Sequence, residues 1–233
     1  MFKYSLRASL DCLVLLASHS LAAHAQTDLS VSILGSLNGS VNNASSALRS
    51  IDAIGGNIAL RHVRNALVGF EAGYSYYRSN QNDSYLFYPP GNLCPAPTCG
   101  PTQVQANVLA DTHEITADWV LTLKLKNIRP FALAGAGLLI DQPATGTGIE
   151  SLTTCDTSDP LCNTTTQSVS TPTQTKPVFN YGLGLDWRLR PQLGIRLQFR
   201  GNLNPTPVLL SGFPSTSTLM HSAQPMLGIF YRF

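Results

Sequence analysis

The sequence predicts an all-β fold: an eight-stranded antiparallel up-and-down transmembrane β-barrel. Three observations predict it. Apolar residues recur at every second position through eight segments. The connections between those segments alternate short and long. After the N-terminus, no apolar run reaches the roughly 20 residues a helix needs to cross a bilayer.

The segments run in order. Leu29, Val31 and Ile33 alternate with Ser30 and Ser32, and Ile58 and Leu60 with Asn57, Ala59 and Arg61. Val68, Phe70, Ala72, Tyr74 and Tyr76 stand against Gly69, Glu71, Gly73 and Ser75. In the fourth, Ile115, Ala117, Trp119, Leu121 and Leu123 oppose Glu114, Thr116, Asp118, Val120 and Thr122. The fifth, Pro130 to Ile140, carries Phe131, Leu133, Gly135, Gly137 and Leu139 on one face and alanines on the other. The sixth sets Phe179, Tyr181, Leu183, Leu185, Trp187 and Leu189 against Asn180, Gly182, Gly184, Asp186 and Arg188. Leu193, Ile195, Leu197 and Phe199 alternate with Gly194, Arg196, Gln198 and Arg200. The last sets Ala223, Pro225, Leu227, Ile229, Tyr231 and Phe233 against Gln224, Met226, Gly228, Phe230 and Arg232. A period of two is a strand period, and about ten residues is the length of a tilted membrane strand. No sustained helical periodicity competes.

Tight connections fall at Val63-Arg64-Asn65, Lys124 to Arg129 and Arg190-Pro191-Gln192. Long ones follow the first, third, fifth and seventh segments, the longest around Tyr85 to Asn107 and from Asp141 to Lys176. Short turns on one side and long loops on the other are the habit of membrane barrels, with both termini on the short-turn side.

The extreme N-terminus predicts the compartment. Lys3 and Arg7 precede a mostly apolar run from Leu10 to Leu21, and Ala23-His24-Ala25 supplies small residues for cleavage. Residues 1–25 are therefore expected to be a signal peptide and residues 26–233 the barrel domain. Cys12 would leave with the leader. Cys94, Cys99, Cys155 and Cys162 remain, an even set in the two longest loops, for which local pairing Cys94–Cys99 and Cys155–Cys162 is expected. A zinc site wants tighter knuckles than Cys94-Pro-Ala-Pro-Thr-Cys99.

Charged residues make up only 12% of the chain and the net charge is +2, which excludes a basic nucleic-acid binder. In hydrocarbon a sheet can leave no backbone edge unpaired, so the barrel must close. Apolar alternates then face lipid and polar ones the lumen, which at eight strands is just wide enough for side chains. Arg61, Glu71, Glu114, Asp118, Asp186, Arg188, Arg196, Arg200 and Arg232 fall on the inward phase and are expected to pair in a packed ionic core. Tyr74, Tyr76 and Tyr77 at the outer rim, with Phe131, Trp187, Tyr231 and Phe233 at the periplasmic rim, are expected to form aromatic girdles.

Enzymatic motifs fail. His113-Glu114-Ile115-Thr116-Ala117 lacks the second histidine of a zinc-protease helix. His221 and Ser222 are adjacent in a strand, so they point to opposite faces. No catalytic, cofactor or metal residue is expected.

Three stretches carry a resemblance: Pro130-Phe131-Ala132-Leu133-Ala134-Gly135-Ala136-Gly137, Tyr181-Gly182-Leu183-Gly184-Leu185-Asp186-Trp187, and Leu227-Gly228-Ile229-Phe230-Tyr231-Arg232-Phe233. With the leader, they resemble the small outer-membrane barrels of the OmpA/OmpX-like superfamily, OmpW-like proteins included. The resemblance implies residence in the bacterial outer membrane, contact with its lipid and lipopolysaccharide, and a monomeric state. It implies that Tyr231 and Phe233 are the signal read by the barrel-assembly machinery. It also implies a non-enzymatic role, envelope-structural or in surface interaction through the loops. The alternatives are a conduit for small or apolar molecules and, further off, a lipid A-modifying enzyme. Pro225 departs from a regular closing strand and is expected at its outer end.

Overall fold

A computed structural model describes residues 26–42, 46–50, 52–64, 67–87, 99–123, 125–144, 147–156, 163–206 and 218–233. The expected leader, Cys94, Cys162 and the side chains of Cys99 and Cys155 lie outside what is described. The elements are β1 (Gln26–Asn38), β2 (Ser40–Asn42), β3 (Ser46–Ser50), β4 (Ala53–Val63), β5 (Val68–Phe87), β6 (Cys99–Thr122), β7 (Ile128–Pro143), β8 (Thr147–Asp156), β9 (Asn163–Ser170), β10 (Gln174–Arg188), β11 (Leu193–Pro205) and β12 (Leu219–Arg232).

Eight of these form the closed antiparallel barrel: β5-β4-β1-β12-β11-β10-β7-β6, with β6 returning to pair with β5. Closure leaves no open edge at membrane depth, as backbone groups in hydrocarbon require. The barrel closes between its first and last strands where β1 pairs with β12, and the Phe233 N–H donates to the Thr27 carbonyl at 3.0 Å. Leu29, Val31, Ile115, Trp119 and Leu197 are all exposed on the outer wall while their strand neighbours are buried or nearly so. A closed sheet turned inside out in this way is stable only against lipid.

The turn between β6 and β7 is two residues long. Leu125 and Ile128 exchange both backbone hydrogen bonds, at 3.0 and 2.7 Å, around Lys126 and Asn127. Lys126 has φ of 25°, a left-handed region that favours glycine, so this turn holds backbone strain of order 1–2 kcal/mol.

On the opposite side the expected loops carry more sheet than the sequence suggests. β5 runs 20 residues and β6 runs 24, about twice the 9–11 a membrane strand needs. The β2–β3 hairpin adds to β5, and the β8–β9 hairpin adds to β6. Cys99 is the register partner of Asp156, which puts the backbones of Cys99 and Cys155 side by side on β6 and β8.

Three expectations are corrected. Pro225 sits inside β12, opposite Phe199, and not at its outer end. The β1–β12 ladder is interrupted there, between Leu34↔Met226 and Leu37↔Ala223, because proline has no N–H to give. Tyr77 is buried inside the barrel with Leu34, Ala53 and Met226, leaving Tyr74 and Tyr76 on the rim. The phase of β7 is inverted: Phe131, Leu133 and Leu139 point inward and the alanine face meets lipid. Both faces of that stretch are apolar, so alternation could not orient it. Arg129 and Asp141, in phase with Phe131 at the two ends of the strand, were the usable signal, and both are buried.

Candidate functional site

The inward alternates converge on an ionic core. Arg61, Glu71, Glu114, Asp118 and Arg200 are each 0% exposed. The register explains how they meet. Across neighbouring strands Arg232 pairs with Asp28, Asp28 with Arg61, Arg61 with Glu71, and Glu71 with Asp118. On the far wall Asp186 pairs with Arg196 on one side and Arg129 on the other.

Glu71 is the hub. Its Oε2 accepts from Arg61 Nε at 2.7 Å and from Arg196 Nη1 at 3.3 Å, and its Oε1 from Arg200 Nη2 at 3.4 Å. Asp186 is gripped two-handedly by Arg196, at 2.7 and 3.1 Å, and reached by Arg61 across the lumen at 3.2 Å. Arg196 also donates to Ser30 Oγ at 3.0 Å. Above this level Glu114 accepts from Asn202 and Gln224, both at 2.9 Å, with Arg200 Nη1 at 3.5 Å. Asp118 accepts from Asn180 and lies 3.5 Å from Arg200. Planar, always-charged guanidinium forks suit such shared carboxylates.

Two rings floor this cluster. The Arg61 guanidinium carbon stands 3.8 Å over the centre of Phe131, and Arg196 and Arg232 lie 5.5 Å from that of Phe230. Gly184 and Gly194 make the room. A Cβ on Gly184 would overlap the Phe131 ring, and one on Gly194 the Phe230 ring.

Eight of the nine expected lumen residues are buried there. Arg188 is not: it is exposed at the end of β10, and its Nη2 donates to the Lys126 carbonyl in the β6–β7 turn. A position one step beyond the last inward turn of a strand is already outside the wall. The sequence reading missed Asp28 and Arg129 at the periplasmic end, and Asp141 with Lys176 at the outer end. Arg232 donates to Asp28 at 2.7 Å, and Lys176 to Asp141 at 2.8 Å. Asp28 and Lys176 share the inward phase of Ser30 and Asn180, so extending two alternations by one or two steps would have found them.

Further outward the apolar side chains of Leu34, Ala53, Tyr77 and Met226, then Leu48, Val108 and Met220, share the bore with buried polar ones, among them Ser36, Ser79, Gln81 and Asn204. His221 stacks on Tyr181 outside, with the Tyr181 hydroxyl 2.7 Å from its Nε2, whereas Ser222 is buried inside. They cannot act as base and nucleophile on one substrate. At the outer rim the Tyr76 hydroxyl and Arg78 both donate to Asp111, at 2.8 and 2.6 Å.

No family model matches the chain, and no curated protein matches it in sequence. Solved structures do. The outer membrane protein OprG of Pseudomonas aeruginosa is 10% identical with a TM-score of 0.54, over 89% of this chain and 95% of that one. The Neisserial surface protein A is 12% identical with a TM-score of 0.47, over 91% and 100%. Ail, the attachment invasion locus protein of Yersinia pestis, is 16% identical with a TM-score of 0.46, over 91% and 100%. The closed eight-strand sheet, its lipid-facing apolar wall and the likeness to OprG together give this chain the fold of the small bacterial outer-membrane barrels of OmpA/OmpX-like type.

Proposed function

We propose that residues 1–25 are a removed leader and that residues 26–233 form a monomeric, non-enzymatic outer-membrane protein with a closed lumen. Its work is done outside the cell by the extended sheet, either in surface contacts or in holding lipopolysaccharide. One observation carries this reading. The bore at membrane depth is filled by cross-paired charges and, above them, by packed apolar and polar side chains, while the strands run far past the apolar band. A protein that invests its length above the membrane and fills its interior is built to present a surface. Local disulfides Cys94–Cys99 and Cys155–Cys162 would stiffen that surface, and Tyr231 with Phe233 would deliver the chain to the assembly machinery.

Replacing Thr147–Ser170 with a short turn tests the reading. The barrel should still show heat-modifiable gel mobility, while cell-surface attachment or detergent resistance of the envelope falls to the level of a strain lacking the chain. If removing the whole chain changes neither property, the proposal fails. Discrete single-channel steps from the wild type in planar bilayers would instead favour the conduit reading. Non-reducing peptide mapping would separate the two local disulfides from a Cys99–Cys155 bridge.

A further inference from the structure

The lumen is not electrically even. Its periplasmic end opens into a cavity of about 160 Å³ lined by Lys126, Arg129, Arg188 and Arg232 against a single carboxylate, Asp186. That carboxylate is already spoken for, since both its oxygens are held by Arg196 and one also by Arg61. Asp28, just behind the cavity, is occupied by Arg232 at 2.7 and 3.3 Å. The carboxylates present do not neutralise the mouth.

Arg129 shows where the deficit sits. It lines the cavity and is 6% exposed, and its Nη2 donates to Gln26 Oε1 at 2.7 Å. Among the described residues its buried Nη1 has no hydrogen-bond partner; Asp28 Oδ2 lies 3.5 Å away, and Asp186, already held by two other arginines, offsets its charge further. A buried guanidinium nitrogen without an acceptor is strongly unfavourable and calls for one. Lys126 adds a second sign. Its strained backbone holds a cation, where glycine would be relaxed, at the lip of the same cavity. The Arg188 guanidinium ties that lip down through the Lys126 carbonyl.

We propose that the periplasmic mouth is a binding site for a phosphate-class oxyanion, with Arg129 as its buried anchor and Lys126, Arg188 and Arg232 as its rim. At roughly 30 Å³ per water, the cavity has room for one tetrahedral oxyanion and several waters. Guanidinium forks recognise such oxygens in pairs, and the lysine supplies a point charge. Two sources share this chemistry. One is a free phosphate or phosphomonoester of the periplasm. The other is the headgroup of an anionic phospholipid of the inner leaflet, whose chains would lie against the exposed Leu125 and Ile128 beside the cavity.

Calorimetric titration of inorganic phosphate into the folded chain in uncharged detergent, at constant ionic strength, tests the site. One saturable site is expected, weakened at least tenfold in Arg129→Gln and several-fold in Lys126→Gly. Lys126→Gly should at the same time melt no lower than wild type, so lost binding there is not lost folding. Arg78→Gln, at the outer rim, should bind as wild type does. Native mass spectrometry from nanodiscs of phosphatidylglycerol or phosphatidylcholine distinguishes the sources. Retention of phosphatidylglycerol alone, abolished by Lys126→Gly, would assign the headgroup even if free phosphate binds weakly. Failure of both ligands, binding equal to that of chloride, or binding unchanged in Lys126→Gly and Arg129→Gln would overturn the proposal. None of these outcomes depends on what the extracellular sheet does.

Discussion

The Arg61 guanidinium lies over the Phe131 ring, 3.8 Å from its centre, while its Nε donates to Glu71 at 2.7 Å. One arginine is thus held by an aromatic face on one strand and a carboxylate on another. Desolvated cation–ring contacts are worth up to about 2 kcal/mol, and burial of the ring adds to that. The inverted phase of β7 is what makes the contact possible.

Phe131→Ala should therefore destabilise the folded barrel by about 3 kcal/mol, the range for removing a buried phenylalanine. Changes on the lipid side have no such leverage; Ala134→Leu, at an exposed position, should cost less than about 1 kcal/mol. Urea titration of the heat-modifiable band reads both. Equal effects at 131 and 134 would mean that β7 faces the other way.

Glu71 touches three arginines, so Glu71→Gln leaves buried positive charge without its counter-ion. A loss of about 3–5 kcal/mol is expected, as for other broken buried pairs. The double change Glu71→Gln with Arg61→Leu should recover part of it. Planar-bilayer recordings should stay silent for wild type and Glu71→Gln alike, because the packed side chains above are untouched. Steps that grow on neutralising Glu71 or Arg196 would contradict a filled bore.

Phe233 is 70% exposed and meets Tyr231 edge-on at 5.2 Å. Phe233→Ala removes little packing, so the midpoint of the purified protein in urea should shift by less than about 1 kcal/mol. The fraction assembled in cells should nevertheless drop several-fold if these rings are an address. Unchanged assembly would remove that role.

Asp83, in the extension of β5 beyond the membrane, is buried and accepts from the Tyr85 hydroxyl. Burial holds its carboxyl above the usual carboxylate range. A folded pKa above the unfolded one means a penalty that is present at neutral pH and relieved as pH falls through the folded value. Hydrogen-exchange protection of the β3–β5 pairing, corrected for intrinsic rates, should rise from pH 7 to pH 4. In Asp83→Asn it should be higher at pH 7 and flat across that interval.

Much of the lumen could be read because strand alternation is strict. Once Ser30, Glu71, Asp118 and Arg196 are placed on the polar phase, closure sends them inward. Phe131 and Tyr77 escaped because neither phase of β7 is polar, and because Tyr76-Tyr77 puts a tyrosine on each face of β5. Arg188 was misplaced since alternation carries no mark of where the wall ends.

From the amino-acid order alone came the number of barrel strands, the side of the long connections and the sign of each face whose alternates differ in polarity, which excludes β7. Which carboxylate meets which arginine came only with the closed sheet. Arg61 and Asp186 are 125 residues apart, and Asp28 and Arg232 are 204 apart. Their meeting depends on the stagger between strands, a property of the whole barrel that no local period encodes.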